Sequence, residues 1–585
     1  NFLTLRDYAF LAQAAYRDLS GLSKRPAEAA LERKLTVTEP GSYGADNVFA
    51  LGQAQQLTGS ATLDSTDGYT YLNQQPNTSS GFSATVFQAN GNGNRITIAV
   101  RGTEPSGTQM VADLLDADLM GVVIAGKAKR QLFDAYRYYK QLTATANAPV
   151  QYTQAELVDM AKLLFSVDSP ALLTGQYAVT GDTGFGLIPQ DATVDFTGHS
   201  LGGHVAVLLA DMVARNRSDG AVGNVITYNA PGMGGILTEV PNWFGTGIQF
   251  DSQVSARILN VIAQDGMNLT AGFGALAGTR QLIAIEGEPN LSGPSGLLPN
   301  HSVVKLSESL AFQSLLRAID PNVSEAQMTS LVKALESTAI ATLERGTTAL
   351  YKLFKGNAVI INTQDRNALY EKINELQQLI TAANRTYTIA PLTDTNADGL
   401  RGLAINGDID TLAYRYALKE LNSFAVLGDN SLYTKFNTNH ELDLYSLEAG
   451  RGLSAQWIED RSSMLYWTLL ANTADAQVLR RNDVTGSWEY EDRGSGRRVG
   501  VEQTGATWSP TQRRKVLFGK DTGDSLNGNI QADRLYGGKG ADTLTGNAGD
   551  DWLEGGMGDD VLHGGAGDDR YWIGRDGGTD TIVDS

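Results

Sequence analysis

The stretch Val194-Asp195-Phe196-Thr197-Gly198-His199-Ser200-Leu201-Gly202-Gly203-His204 sets a serine between glycines, where a run of strand formers gives way to a run of helix formers. Gly198 to Gly202 reads G-x-S-x-G, the turn that presents a nucleophile at the end of a strand and the start of a helix. The corner is too tight for larger side chains at its flanks. The hydroxyl of Ser200 is therefore pushed out at a helix N-terminus, where backbone N–H groups can stabilise an oxyanion.

A serine hydroxyl needs a base and the base an orienting acid. The chain has only five histidines. His199 and His204 belong to the corner itself, pointing away from the hydroxyl or along the helix, and His563 lies in the C-terminal repeats. His301, in LLPNHSVVKL, and His440, in NTNHELDLY, remain. A base that follows the last core strands favours His301, and His440 reads as a surface histidine. Acids between Ser200 and His301 are Asp211, Asp219, Glu239, Asp251, Asp265, Glu286 and Glu288. Asp265 is favoured because it directly follows the strand-like ARILNVIAQ, whereas Asp211 falls on the helix after the serine.

A second chemistry sits at the C-terminal end. Six nine-residue units run without a gap from Gly519 to Trp572, each with aspartate sixth and a large apolar residue eighth. The aspartates are Asp524, Asp533, Asp542, Asp551, Asp560 and Asp569; the apolar series is Leu526, Leu535, Leu544, Leu553, Leu562 and Tyr571. Glycines allow left-handed turns, aspartates and turn carbonyls supply hard oxygen ligands, and each short strand buries one apolar side chain. Two units make one coil of a parallel β-roll. Acidic residues outnumber basic ones by 14 to 5 over 519–585, so compaction calls for cations, and the repeats are expected to fold with Ca2+.

The elements that must position these residues follow from pattern. Residues 1–305 alternate helix and strand, as α/β folds do. Strands are expected at 82–88, 95–100, 192–198, 223–229 and 256–263, with Asn-Gly turn chemistry joining the first two. Residues 152–173 offer a capping box at Thr153 and Glu156 and an apolar face through Leu157, Met160, Ala161, Leu164 and Phe165; a mobile lid over the serine and a packed core helix both fit. Residues 306–515 read as a mainly helical middle region, a packing or spacer layer. Within it DTNADG (394–399) imitates an EF-hand start, but the twelfth position is Ile405, so it reads as a polar turn. Residues 516–585 form the β-roll.

Composition limits the partners. The formal charge is −19, from 46 Lys plus Arg against 65 Asp plus Glu, which opposes binding to nucleic acid. There is no cysteine, so thiolate chemistry and disulfides are excluded. No apolar run is long enough to span a bilayer, and the start reads as an amphipathic helix, not an export signal.

The nonapeptides resemble the repeats-in-toxin (RTX) family. The resemblance implies an extracellular protein exported by the type I secretion machinery of a Gram-negative bacterium, unfolded in calcium-poor cytosol and folded outside. No further segment follows GTDTIVDS to carry a secretion signal, so the sequence is expected to stop short of one. A second resemblance rests on Arg101-Gly102-Thr103, Ala112-Asp113-Leu114, GHSLGG, a strand ending in an acid, and a histidine before an apolar run. In that order they are similar to class 3 lipases over about residues 80–305. The resemblance implies an α/β-hydrolase domain, an oxyanion site from Thr103 with the backbone N–H of Leu201, and a lipid or phospholipid substrate at an interface. The combined expectation is a secreted Ser–His–Asp hydrolase of lipid esters, triacylglycerol lipase or phospholipase A1. The alternative from another class is an RTX adhesin or pore-forming toxin whose hydrolase-like domain is inert. A protease reading is weaker, since no H-E-x-x-H string occurs.

Overall fold

The computed structural model describes residues 2–584 except 38–46, 61–66, 103–116, 218–221, 232–251, 265–275, 287–300, 336–341, 357–358, 360, 363–364, 475, 506–508 and 576. The chain divides into two compact units. One comprises Asn1–Leu315 and Ile361–Ala383, the other Leu316–Ile360 and Asn384–Ser585.

The first unit is built on a seven-stranded sheet in the order β1 (Tyr69–Gln75), β2 (Ala84–Ala89), β3 (Asn92–Val100), β4 (Thr193–His199), β5 (Val222–Tyr228), β6 (Ile258–Ala263) and β7 (Thr279–Ile283). The first three strands are antiparallel and β3 to β7 are parallel. Asn90-Gly91 makes the expected tight turn, because Ala89 pairs with Asn92. Parallel strands are covered on both faces, so β4 is buried at six of its seven positions. Helices Ala117–Thr143 and Leu201–Asn216 contribute Phe133, Tyr136, Val205 and Leu209 to the core that holds Val194 and Phe196. The N-terminal helix Phe2–Ala14 meets the strands as well: Thr197 Oγ1 donates to Tyr8 O at 3.3 Å.

Two sequence readings meet the structure in this unit, the open choice at 152–173 and the boundary near 305. The helix Gln154–Phe165 is a packed core helix: Met160 and Ala161 are fully buried, and Glu156 accepts from Tyr136 Oη (2.6 Å) and Lys140 Nζ (2.7 Å). Burial alone would raise the Glu156 carboxyl, but the bonds from Lys140 and Tyr136 hold it below its ordinary value. Lifting this helix as a lid over 152–173 would strip a buried charge of both partners. The boundary near 305 changes. The unit includes the helix Arg366–Ala383, whose face of Leu369, Tyr370, Ile373 and Leu376 is buried; Tyr370 lies edge-on to Phe10 with ring centres 6.1 Å apart.

The second unit starts helical, with Glu325–Leu335, Thr342–Lys355, Ala397–Ile405, Thr411–Glu420 and Ala455–Ala474 around the small pair β8 (Thr388–Pro391) and β9 (Phe424–Leu427). DTNADG is the start of a helix, not an ion loop: Asn396 Oδ1 accepts from Gly399 N at 2.8 Å. The middle region departs from the helical expectation after Ala474. Strands β10 (Val478–Arg481), β11 (Ser487–Asp492), β12 (Arg497–Gln503) and β13 (Arg514–Phe518) follow. Their charges hide the strand pattern because they pair across the sheet, as Arg513 with Glu502 at 2.6 Å and Arg498 with Glu491 at 3.3 Å.

The repeats supply β14 (Ser525–Asn527), β15 (Arg534–Lys539), β16 (Thr543–Ala548), β17 (Trp552–Met557), β18 (Val561–Ala566), β19 (Arg570–Trp572) and β20 (Thr581–Val583). They form two parallel stacks. The order β13-β15-β17-β19 continues the sheet of β10 to β12, and β14-β16-β18-β20 faces it. Register advances by 18 residues, Leu535 opposite Leu553 and Leu544 opposite Leu562, which is two nonapeptides per coil as expected. Leu526, Leu544 and Leu562 of one stack and Leu535 and Leu553 of the other are fully buried in one cluster. Among the described residues no helix is long and apolar enough to cross a membrane.

Candidate active site and ion-binding roll

Ser200 sits between the end of β4 and the helix Leu201–Asn216 with φ +57° and ψ −135°, a conformation strained for any residue but glycine. Its N–H donates to Tyr228 O at 2.9 Å, which ties the corner to β5. A Cβ on Gly198 would lie 2.6 Å from Gly202 O, and one on Gly202 would lie 2.4 Å from Val100 O. The flanking glycines are thus required by close backbone approach. As the first helical residue, Leu201 has a backbone N–H with no intrahelical acceptor.

Gly102 brings the segment after β3 against this corner. A Cβ there would meet His199 O at 2.4 Å, Tyr16 Oη at 2.5 Å and Ser200 Cβ at 3.1 Å. Thr103 itself lies outside the described residues, as does Asp265. The residue before Asp265 is in place: Gln264, just past β6, donates its N–H to Ile283 O at 2.8 Å.

His301 is buried at the same end of the sheet. Its ring centre is 4.7 Å from that of His199, and its backbone carbonyl accepts from His199 Nε2 (2.6 Å) and Asn229 Nδ2 (3.2 Å). Because a carbonyl only accepts, Nε2 of His199 carries the proton; Nδ1 then accepts from Tyr16 Oη at 2.8 Å. Burial holds His199 down to about 4, so this neutral tautomer persists at physiological pH. Burial, then the neighbouring His199, likewise pushes the His301 imidazole well below its ordinary value, leaving it neutral. Asn229 completes the frame: its Oδ1 accepts from Ala263 N at 3.0 Å, linking the end of β6 to the His301 carbonyl. Tyr16, His199 and Asn229 were not singled out as functional by sequence reasoning. Asn229 carried one readable signal, a polar residue at the end of an apolar strand.

This relay has a testable consequence. Tyr16→Phe leaves Nδ1 of His199 without its donor, at a stability cost of about 1–3 kcal/mol. We expect a lower melting temperature and reduced kcat with KM little changed; unchanged kcat would show that the relay does not position His301.

The rival residues fall elsewhere. His204 is buried on the helix with Nδ1 3.4 Å from Pro231 O. His440 is an exposed loop residue of the second unit, with Nδ1 2.6 Å from Asp443 Oδ2. Asp211 is held in an ion pair with Arg215 at 2.7 Å. Asp219, Glu239, Asp251 and Glu288 lie outside the described residues, and Glu286 is buried past the end of β7.

In the roll the aspartates stack. From Asp542 onward one carboxylate oxygen accepts from the backbone N–H of the aspartate 18 residues earlier: Asp542 Oδ1 from Asp524 N, Asp551 from Asp533, Asp560 from Asp542 and Asp569 from Asp551. Asp580, outside the nonapeptide count, continues the column by accepting from Asp560 N at 3.2 Å. The second oxygens divide the set. Those of Asp542, Asp551, Asp560 and Asp569 are buried with no hydrogen-bond partner. Those of Asp524 and Asp533 accept backbone N–H groups, from Lys520 (2.6 Å) and Asn529 respectively. A Cβ at Gly537, Gly546, Gly555 or Gly564 would fall 2.2–2.5 Å from the orphaned oxygens. Orphaned carboxylate oxygens in a bare glycine cradle fit a hard cation. Among the described residues no three His, Cys, Asp or Glu side chains converge, so such a site takes its remaining oxygens from the backbone.

A strained serine on a strand–helix corner over a mainly parallel sheet has the form of the G-x-S-x-G turn. Comparison with known proteins finds two family matches in the chain. Residues 185–254 match the Lipase (class 3) family, and residues 518–551, 536–571 and 545–582 match the RTX calcium-binding nonapeptide repeat. The chain therefore carries a class 3 lipase segment and RTX calcium-binding repeats. No curated protein matches it. Solved structures similar to it include Lip2 lipase of Yarrowia lipolytica, at 15% identity over 50% of this chain and 81% of that one with TM-score 0.23. The Rhizomucor miehei lipase propeptide complex shows 14% identity over 52% and 78%, TM-score 0.22. Extracellular lipase LipA of Serratia marcescens shows 14% over 96% and 66%, TM-score 0.20.

Proposed function

We propose that the chain is a secreted serine hydrolase that cleaves carboxylic ester bonds of lipids, acting as a triacylglycerol lipase or phospholipase A1. The observation that carries this reading is the strained Ser200 with Gly102 against its Cβ and the His301 carbonyl hydrogen-bonded to the ring of the neighbouring His199. Ser200 Oγ attacks the ester carbonyl and His301 takes its proton. Leu201 N–H and Thr103 stabilise the oxyanion, and the alcohol leaves with the proton returned by His301. Water then releases the acid from the acyl-enzyme by the same route. Asp265 fixes the imidazole tautomer.

Asp542, Asp551, Asp560 and Asp569 are the side chains that would hold Ca2+ in the roll, with Asp524 and Asp533 at its edge. The ion supplies charge neutralisation that lets the acidic column pack. Export by type I secretion and an extracellular site of action accord with the RTX repeats.

Purified protein should hydrolyse a p-nitrophenyl ester, and the activity should vanish in Ser200→Ala; an ester-inactive wild type would favour the adhesin reading. His301→Ala should be as damaging as the serine change. His440→Ala should keep kcat within about twofold, since His440 is an exposed loop residue whose ring is hydrogen-bonded to Asp443. The reverse ranking in side-by-side kinetics would assign the base to His440.

A further inference from the structure

We propose that the second unit holds a binding site for a neutral oligosaccharide, assembled only when the calcium roll is folded. The site goes beyond ester hydrolysis and lies wholly within that unit. Two adjoining cavities of about 240 and 500 Å3 share Lys419, Trp457, Asp521, Tyr536 and Gly538. One wall comes from the repeats, including Tyr536 on β15, Glu554 on β17 and Trp572 on β19. The other comes from Lys419, Glu441, Tyr445 and Trp457, outside them.

The lining combines aromatic faces with paired charges. Tyr445, Trp457 and Trp572 are half-buried, with Tyr445 edge-on to Trp572 at 4.8 Å. Such rings offer flat apolar contact at little entropic cost. Between them most charges are paired: Lys419 with Glu441 at 2.9 Å, Lys539 with Glu441 at 2.8 Å and with Asp521 at 3.2 Å, and Lys352 with Glu420 at 2.6 Å. A phosphate or carboxylate ligand would have to break these pairs, and a cation would meet the lysines. An acyl chain would strand them without water. A sugar ring suits both features, since its C–H face stacks on an aromatic ring while its hydroxyls donate to the carboxylates and accept from the lysines. The Glu554 carboxylate, which accepts from Ser454 Oγ at 2.7 Å, adds a desolvated acceptor on the repeat side. Two connected cavities accommodate more than one sugar unit.

The test is a tryptophan-fluorescence titration of the full chain with maltohexaose, cellohexaose and chitohexaose, in calcium and in chelator. At least one should give a saturable change in calcium, lost in chelator and retained in Ser200→Ala. Tyr445→Ala should weaken it by about tenfold or more, with Tyr445→Phe restoring it and ester hydrolysis unchanged in both. Should Tyr445→Ala lose the calcium-induced circular dichroism change, Lys539→Met at the rim carries the same test. Absence of binding to all three sugars overturns the proposal, as does binding that survives equally in the variants or in chelator. Because ester hydrolysis is read separately, loss of sugar binding leaves the hydrolase reading intact.

Discussion

Ser200→Ala is expected to lower kcat for ester hydrolysis by a factor on the order of 10⁴ to 10⁶, the range found when a member of a catalytic triad is removed. The loss should be chemical, not structural. The hydroxyl contributes little packing, so unfolding midpoints of variant and wild type should agree closely. The backbone adds a sharper expectation. A non-glycine residue at φ +57° and ψ −135° carries strain of about 1–3 kcal/mol. Ser200→Gly should therefore be as inactive as Ser200→Ala yet more stable than the wild type, because glycine tolerates that conformation. A glycine variant less stable than the alanine one would show that the corner is not strained in solution.

Removing calcium is expected to unfold the roll over residues 520–584 while the first unit stays folded. Four buried carboxylate oxygens have no partner without an ion. Burial first, and then the carboxylates above and below in the column, push Asp542 up to about 6 and Asp551 up to about 7; Asp560 is raised as well. A carboxyl whose folded value exceeds its unfolded one stabilises the fold while protonated, and that contribution is lost as pH rises. For these groups the loss spans from about 4 to about 7. The metal-free roll should accordingly be least stable near neutral pH and partly recover on acidification toward about pH 5. Protons and calcium compete for the same oxygens, so the further stabilisation that calcium adds to the roll should shrink as pH falls. Circular dichroism of the full chain in chelator and in calcium, at neutral and acidic pH, checks both signs. A spectrum indifferent to calcium at neutral pH would remove the ion from the roll.

Much of this was legible beforehand because the relevant signals are local. The corner at Ser200 announces itself by its glycines and by the switch from strand to helix pattern. The leucine at the eighth position of each nine-residue unit places the cluster from Leu526 to Leu562 at 18-residue register. What escaped was set by tertiary partners. β1 (YTYLNQQ) and β7 (TRQLI) are polar edge strands with only part of their length buried. Strands β10 to β13 carry arginines and glutamates that become neighbours only once the sheet forms. The helix Arg366–Ala383 gives no sign in its own sequence that it belongs with residues from the start of the chain. Asp580 was passed over because two extra residues break the nine-residue period. Tyr16 and His199 lie 183 positions apart, so no pattern along the chain joins them.

The most direct test of the central claim is covalent labelling. Wild-type protein treated with a serine-directed fluorophosphonate in the presence of calcium, then digested and analysed by mass spectrometry, should carry one adduct on Ser200, with ester hydrolysis lost in step with labelling. Labelling at another serine, or full hydrolytic activity with Ser200 unmodified, would contradict the assignment of the nucleophile.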